Sequence, residues 1–526
     1  MWVSILRKKR SPYLQVDGAA RRHWQALVLL LIIAFGVYIN LAFFYGASWI
    51  NGSDNYIYLS QAYAFSQGHF HQGGCAIVDC VNYIVTLGEA PFLSLFGLSP
   101  LTASFFGLLC LALTIVVLYL IGRRVSSPVA GLIAGFVYVL FPVVSTQTSN
   151  VGDDIPMVLF VSASALLIIL AFASSRSKGR QRLYFTLAGF VSMIAFLTIS
   201  EAIIGTITFF AFLLLNALYR RKREAFEAFG LFCAGVLLAF AVIALIGIYQ
   251  ANSPMFVFNV YTSNFASYNA NPIAFSKYLS DMFLPGTSMQ YNALAFGYLG
   301  LAFLASAVYL LVTRYSKAAF IGFWFLFSFL YLSFGTESLT TYSPVQYLNP
   351  YQVRFALVLI PAMSLLIGIA VARLPSSLRK HGIPKLITYS ALAAVFLVIA
   401  TVSINYISYL NYIQLYSIAP LLQINQYLQA RPVGTMVFGP VDVPWSAYLT
   451  SNVEALAYSR TLGTCANVTS MFKISAGDYF VGNVTDPSAC SLKIVFSPQE
   501  PSQLERYAPG LGADFYAINV YRYEPT

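Results

Sequence analysis

Long apolar runs separated by short polar stretches dominate this sequence. Eleven runs of roughly twenty residues carry almost no charge, and a helix needs ~20 apolar residues to cross a bilayer. The pattern predicts a mostly α-helical, polytopic membrane bundle of about eleven transmembrane helices. The predicted spans are 25–46, 101–121, 128–145, 157–174, 183–200, 202–219, 228–249, 294–313, 318–336, 355–372 and 386–408.

The overall composition supports a membrane protein. Of the 526 residues, 58% are apolar and only 9% are charged, whereas soluble proteins carry ~25% charged residues. This composition argues against a cytosolic enzyme, a coiled coil or a disordered chain. The first span is too long for the core of a signal peptide and no small-residue cleavage site follows it, so we expect a retained anchor.

The positions of the basic residues predict the topology. With eleven spans, 22 of the 30 Lys and Arg residues fall on one side, which holds only three acids. The positive-inside rule then gives a cytosolic N-terminus, and eleven crossings put the C-terminus outside the cell membrane. The net charge of +11 therefore reflects membrane topology, and we expect no nucleic-acid partner.

The chain divides into three predicted parts. Residues 1–24 form a basic cytosolic tail, residues 25–408 form the membrane module, and residues 409–526 form a small external α/β domain. In that domain we expect strands near 435–438, 478–481, 492–496 and 515–522, and a helix near 442–451. Long external loops within the membrane module are predicted at 47–100, 250–293 and 337–354.

Four of the six cysteines fall on the predicted outside. Local pairing there predicts two disulfides, Cys75–Cys80 and Cys465–Cys490, because that compartment is oxidising. Cys110 and Cys233 fall within spans, where a cysteine usually serves as a small core residue.

An acidic cluster follows the first span. Asp54 starts a segment in which Tyr56, Leu59 and Tyr63 recur at helical spacing, which predicts an amphipathic helix on the outer surface. Asp54 at its start is either a helix cap or a functional carboxylate at the membrane boundary.

A second acidic cluster joins the third and fourth spans. Asp153 and Asp154 precede Pro156 in a short external segment. Helix capping is again the simple alternative. Two adjacent acids nevertheless exceed what a cap needs, and like charges this close raise one pKa.

These clusters resemble a known superfamily. The run Ser53-Asp54 followed by Tyr58-Leu59, the segment 148–156, the run 351–355 with Pro361 beyond it, and the Val520-Tyr521-Arg522 ending are similar in order, side and spacing to GT-C membrane glycosyltransferases. The similar group contains protein O-mannosyltransferases and aminoarabinose transferases, which use polyprenyl-phosphate-linked sugars. The resemblance covers roughly residues 25–410.

The resemblance implies a function and a set of site residues. The chain would move a sugar from a polyprenyl-phosphate donor to an external protein, lipid or glycan acceptor in the cell envelope. Asp54 would be the general base, and Arg354 would hold the donor phosphate unless it only snorkels at the interface. Asp153 and Asp154 would bind sugar, acceptor or a divalent ion. Tyr56 and Glu201 are further candidates.

The chain also departs from that pattern in two places. Glu201 follows the fifth span where aminoarabinose transferases usually carry Thr-Lys, which points to a different donor head group or a different phosphate contact. The first loop contains His69, His71 and Asp79, which suit either a metal site or surface positions beside a disulfide. No cofactor is certain, and the resemblance leaves the use of a divalent metal open.

Two other functions remain as alternatives. A transporter or flippase should show charges in the middle of spans and paired broken helices, and the sequence shows almost none of either. A non-catalytic membrane subunit would explain the external domain but not the paired acidic clusters.

Overall fold

The computed structural model describes residues 18–44, 53–70, 81–97, 99–148, 152–174, 177–265, 296, 298–334, 353–429, 436–440, 454–458, 479–482, 491–497 and 519–524. Within them lie fifteen α-helices, and each predicted span overlaps at least one. The helices are α1 Gly18–Phe44, α2 Ser53–Ser66, α3 Tyr83–Phe96, α4 Pro100–Val125, α5 Pro128–Leu140, α6 Pro142–Thr148, α7 Asp154–Ala173, α8 Lys178–Ile194, α9 Ile203–Arg220, α10 Arg223–Ala251, α11 Phe256–Phe265, α12 Tyr298–Val312, α13 Ala319–Phe334, α14 Ile360–Arg379 and α15 Lys385–Gln429.

The helical membrane bundle is confirmed. Eight helices of the described chain are long and apolar enough to cross a bilayer, and the bent pair α5–α6 makes nine if it counts as one span. The α12 helix, at the eighth predicted span, is shorter than these. The protein is thus a multi-pass membrane protein, while the count of eleven crossings stays a prediction.

The third predicted span is bent rather than straight. The axes of α5 and α6 differ by 70°, and Phe141 between them is extended with φ −69° and ψ 119°. The following Pro142 disfavours helical geometry at the preceding residue, which explains the break. The short α6 then continues, with nearly all its residues buried, toward the second acidic cluster.

Glycines allow the central helices to approach closely. A Cβ on Gly189 of α8 would lie 2.0 Å from the carbonyl oxygen of Phe232, and one on Gly235 of α10 would lie 1.9 Å from that of Thr186. These two glycines therefore let the backbones of α8 and α10 touch, as small residues do at many membrane helix crossings.

The first external loop contains two helices instead of the single predicted one. In α2 the buried face carries Tyr58, Leu59, Ala62 and Phe65. The helix therefore packs its apolar face against α3, and its position at the outer membrane surface stays a prediction.

The C-terminal residues form a mixed five-stranded sheet. Its order is β2-β1-β3-β5-β4, with β1 parallel to β2 and β3, and β5 antiparallel to β3 and β4. Strands overlap all four predicted positions, whereas β2 was not predicted. The predicted helix at 442–451 and the four cysteines that were predicted to pair lie outside the described residues. The strands are β1 Met436–Pro440, β2 Glu454–Tyr458, β3 Tyr479–Gly482, β4 Leu492–Phe496 and β5 Asn519–Tyr523.

The last helix joins the membrane bundle to this sheet. The apolar part of α15, Leu386–Ser408, is long enough to span a bilayer, and the helix then continues to Gln429. The domain boundary predicted at residue 409 therefore lies inside a continuous helix. Near its end, Tyr427 stacks on Phe496 of β4 with ring centroids 4.7 Å apart.

Candidate active site

A buried hydrogen-bond network forms around Asp153. Its Oδ2 accepts a hydrogen bond from the Tyr58 hydroxyl at 2.7 Å and another from Asn82 Nδ2 at 3.0 Å. Asn82 Nδ2 also lies 2.7 Å from the Tyr58 hydroxyl oxygen. All three side chains are at most 2% exposed. The network therefore joins α2, the start of α3 and the start of α7 around one carboxylate.

The position of Asp153 argues against a simple capping role. It occupies the N-cap position of α7, but its side chain makes no capping hydrogen bond. The carboxylate bonds instead to residues 71 and 95 positions away in the sequence. A cap would satisfy the local backbone N–H groups, whereas this carboxylate organises three separate elements.

Tyr261 extends the network to the second external loop. Its hydroxyl can donate to Asn82 Oδ1 or, at 3.1 Å, to the carbonyl oxygen of Phe196. The rings of Phe196 and Tyr261 also meet edge to face, 4.6 Å apart. Sequence analysis missed Tyr58, Asn82 and Tyr261 as site residues. The only sequence signal was that Tyr58 belongs to the run that carries Asp54.

Asp154 is buried directly beside the network, at the first residue of α7. Buried carboxylates are costly unless their surroundings compensate for lost hydration. Acidic side chains are seldom fully buried, so two adjacent buried acids at the tip of one helix suit a functional site better than a purely structural one.

For Asp54, the candidate base, and Arg354, the candidate phosphate ligand, only the position of the backbone can be described. Position 54 is in the first turn of α2, one turn before Tyr58 and on the same helix face. Position 354 is in the 3-10 turn Val353–Val358, which packs against both α6 and α7. The side chains of Asp54, Tyr56 and Arg354 lie outside the described residues.

Glu201 lies in a tight connection at the same end of α7. The 3-10 turn Ser200–Ala202 joins α8 to α9, and it contacts α7. The predicted fifth and sixth spans, 183–200 and 202–219, are thus joined by a tight turn. The half-buried Glu201 carboxylate accepts a hydrogen bond from Ser200 Oγ at 3.0 Å.

Glu89 is a buried acid that the sequence analysis did not select. It lies on α3, two turns after Asn82, and is 2% exposed. Its Oε2 has no hydrogen-bond partner among the described residues. The α3 helix is not among the candidate spans. Burial raises the pKa of the Glu89 carboxyl well above its usual range, because the charged form loses its hydration there.

The described residues contain no group of three or more His, Cys, Asp or Glu side chains placed to hold a metal ion. His71 and Asp79, which sequence analysis grouped with a metal alternative, lie outside them, and His69 is exposed. Cys110 is buried and Cys233 half-buried, and both are free thiols within helices.

The matching family model covers the centre of this site. Residues 81–249 match the model described as dolichyl-phosphate-mannose-protein mannosyltransferase, about a third of the chain. This region contains Asn82, Asp153, Asp154 and Glu201. No curated protein sequence is significantly similar to the chain.

Solved structures resemble the whole chain. ArnT from Cupriavidus metallidurans bound to undecaprenyl phosphate has a TM-score of 0.64 at 13% identity, over 95% of this chain and 98% of that one. The oligosaccharyltransferase of Archaeoglobus fulgidus with Zn and sulfate has a TM-score of 0.52 at 14% identity, over 87% and 68%. The same organism's oligosaccharyltransferase AglB, with an inhibitory peptide and a dolichol-phosphate, has a TM-score of 0.50 at 12% identity, over 88% and 70%.

At these identities the structural likeness shows the fold, and the family match adds the class of reaction. The chain is therefore a multi-pass membrane glycosyltransferase with the GT-C fold.

Proposed function

We propose that this protein transfers a sugar from a polyprenyl-phosphate-linked donor to an acceptor at the outer face of the membrane. The observation that carries the proposal is the buried Asp153 carboxylate, which ties the helix bearing Asp54 to the start of α7. A similar fold was crystallised with undecaprenyl phosphate bound, which supports a lipid phosphate as the donor class.

The proposed reaction places Asp54 as the general base. An acceptor oxygen attacks the anomeric carbon of the donor while its proton passes to the Asp54 carboxylate. The bond between that carbon and the phosphate oxygen breaks, and the polyprenyl phosphate leaves with the electron pair. Arg354 stabilises the charge on the leaving phosphate, since a guanidinium meets phosphate through two parallel hydrogen bonds.

Asp153 is assigned a different role from Asp54. Two hydrogen-bond donors already occupy one of its oxygens, and the carboxylate is buried. Such a group orients its neighbours better than it takes up a proton. We therefore propose that Asp153 fixes α2 against α7 so that Asp54 faces the donor, and that Asp154 and Glu201 contact sugar or acceptor.

The external orientation is also part of the proposal. The division of basic residues supports a cytosolic N-terminus, with the site and the C-terminal sheet outside. A lipid-linked donor suits that location because it needs no nucleotide there. The acceptor, whether protein, lipid or glycan, would approach from the same side.

A transfer assay with purified full-length protein tests the proposal. Polyprenyl-phosphate sugars are supplied with a membrane fraction of the source cells as acceptor, and release of polyprenyl phosphate is measured. Asp54→Asn should lower the rate by ~10²–10⁴-fold, as loss of a general base does. Arg354→Lys should weaken donor binding, because lysine keeps the positive charge but cannot form the two parallel hydrogen bonds of a planar guanidinium.

The matched control removes a carboxylate at the opposite end of the bundle. Glu227 pairs with Arg182 at 2.6 Å on the basic face, so Glu227→Gln should leave transfer near the parental rate. If Asp54→Asn retains that rate while Asp153→Asn loses it, the base has been assigned to the wrong residue. If both retain it, the site itself is wrong.

A further inference from the structure

A cavity far from the Asp153 network opens between four helices. Its volume is 460 Å³, within the ~300–1,000 Å³ typical of ligand pockets. It lies between α1, α5, α14 and α15, and its lining is almost wholly apolar. Representative lining residues are Val28, Ile32, Phe136, Ala372, Leu392 and Phe396.

The cavity is open toward the surrounding membrane. Val129 and Tyr389 line it and are 45% and 56% exposed, so one wall faces outward. The α15 helix contributes Tyr389, Leu392, Ala393 and Phe396, which share one face of the helix. An apolar groove open to lipid at this depth suits an alkyl chain.

An arginine lies beside the end of this groove. Arg373 follows the lining residue Ala372, and its guanidinium carbon is 3.8 Å from the centre of the Tyr315 ring. The Tyr315 hydroxyl donates at 3.0 Å to the carbonyl oxygen of Val125, two residues before the lining residue Ser127. The buried Nε of Arg373 has no hydrogen-bond partner among the described residues.

More positive charge surrounds the same end. Arg123 and Arg124 end α4, and Arg379 and Lys380 end α14. All four are exposed, and none forms an ion pair with any residue that the structure describes. Basic groups at the membrane face of a helix bundle attract anionic lipid head groups.

We infer that this groove binds an anionic phospholipid of the membrane leaflet on the basic side. One acyl chain fills the apolar groove, and the phosphate of the head group meets Arg373 and the neighbouring basic side chains. Charge complementarity selects an anionic phospholipid over a neutral one. The site is separate from the Asp153 network, because no residue of that network and none of α2, α3 or α7 lines the groove.

Native mass spectrometry of the full-length protein in detergent tests the inference. Phosphatidylglycerol and phosphatidylcholine are titrated separately, and lipid adducts are counted. The parental protein should bind one phosphatidylglycerol in preference to phosphatidylcholine. Ala393→Trp fills the groove from an exposed position and should weaken binding at least tenfold. Arg373→Gln should lower the preference for phosphatidylglycerol several-fold.

Matched variants control for unrelated damage. Ala394→Trp places the same ring one residue later, outside the groove lining, and should bind lipid as the parental protein does. Arg220→Gln removes a basic charge from α9, which does not line the groove, and should keep the preference.

Three results would overturn the inference. Equal binding by the Ala393→Trp and Ala394→Trp variants would show that the groove is not the site. Equal affinity of the parental protein for the two phospholipids would remove the role of the head group. Loss of bound polyprenyl phosphate, rather than phospholipid, from Ala393→Trp would assign the groove to the donor tail.

Discussion

Replacing Tyr58 with phenylalanine isolates the contribution of the Asp153 network. The hydroxyl donates to Asp153 Oδ2 at 2.7 Å and accepts from Asn82 Nδ2 at 2.7 Å. The Tyr58 ring is almost fully buried and stays in place in the variant, so the change removes one oxygen without a large cavity. Any effect therefore comes from the hydrogen bonds.

The expected cost follows from the charge of the acceptor. A hydrogen bond to a charged group contributes about 1.5–3 kcal/mol, and a buried carboxylate that loses a donor has no water to replace it. Asp153 keeps its bond from Asn82, so the network should weaken rather than collapse. We expect the melting temperature to fall by a few degrees. Because small misplacements of reacting groups cost up to ~10²-fold, we also expect slower sugar transfer.

Tyr63→Phe is the matched control for this experiment. Tyr63 lies on the same helix, is only half-buried, and its hydroxyl makes no hydrogen bond with a described residue. Thermal unfolding in detergent and the transfer assay should separate the two variants. Equal melting temperatures and equal rates for Tyr58→Phe and Tyr63→Phe would refute the reasoning that this network supports the site.

Three further predictions concern stability and topology. Because its pKa is raised above the ordinary value of 4.5, Glu89 should destabilise the protein increasingly as pH rises above that value. Glu89→Gln should therefore melt higher than the parental protein at pH 8, and this gain should vanish at or below pH 4.5. Gly235→Ala should lower the melting temperature, because its Cβ would lie 1.9 Å from the Thr186 carbonyl oxygen. Gly230→Ala is the control, since its Cβ would meet nothing within 4 Å, and it should melt as the parental protein does. Equal melting temperatures for the two variants would refute the close contact. Protease added to intact cells should cut within 409–526, and full protection would contradict an external C-terminus.

The membrane bundle was predictable because each span is marked in the sequence by its own long, uncharged apolar run. Twenty apolar residues without charge must be buried in lipid or protein, so each run specified a helix without knowledge of its neighbours. The bend at Phe141 also had a local cause in Pro142. The α3 helix has only 14 residues, which is shorter than a membrane span, so the sequence analysis assigned it to a loop.

The site was only partly predictable, because its contacts are distant in sequence. The acidic cluster at Asp153 was identified from two adjacent acids. Its partners Tyr58 and Asn82 lie 95 and 71 positions away, and Tyr261 meets Asn82 across 179 positions. Tyrosine and asparagine are common in external loops, so nothing in the local pattern marked Asn82 or Tyr261, and Tyr58 was marked only by its place in the run after Asp54. Glu89 was missed because a single acid in an apolar stretch gives no spacing to interpret.

The length of α15 has a mechanical consequence. At ~1.5 Å per residue its 45 residues extend about 68 Å, more than twice the ~30 Å hydrocarbon core. Its end is not free, since Ile424 and Leu428 are buried there and Tyr427 stacks on the sheet. Because the helix is continuous from the membrane to the sheet, a tilt of its apolar part would carry the C-terminal sheet sideways along the membrane surface.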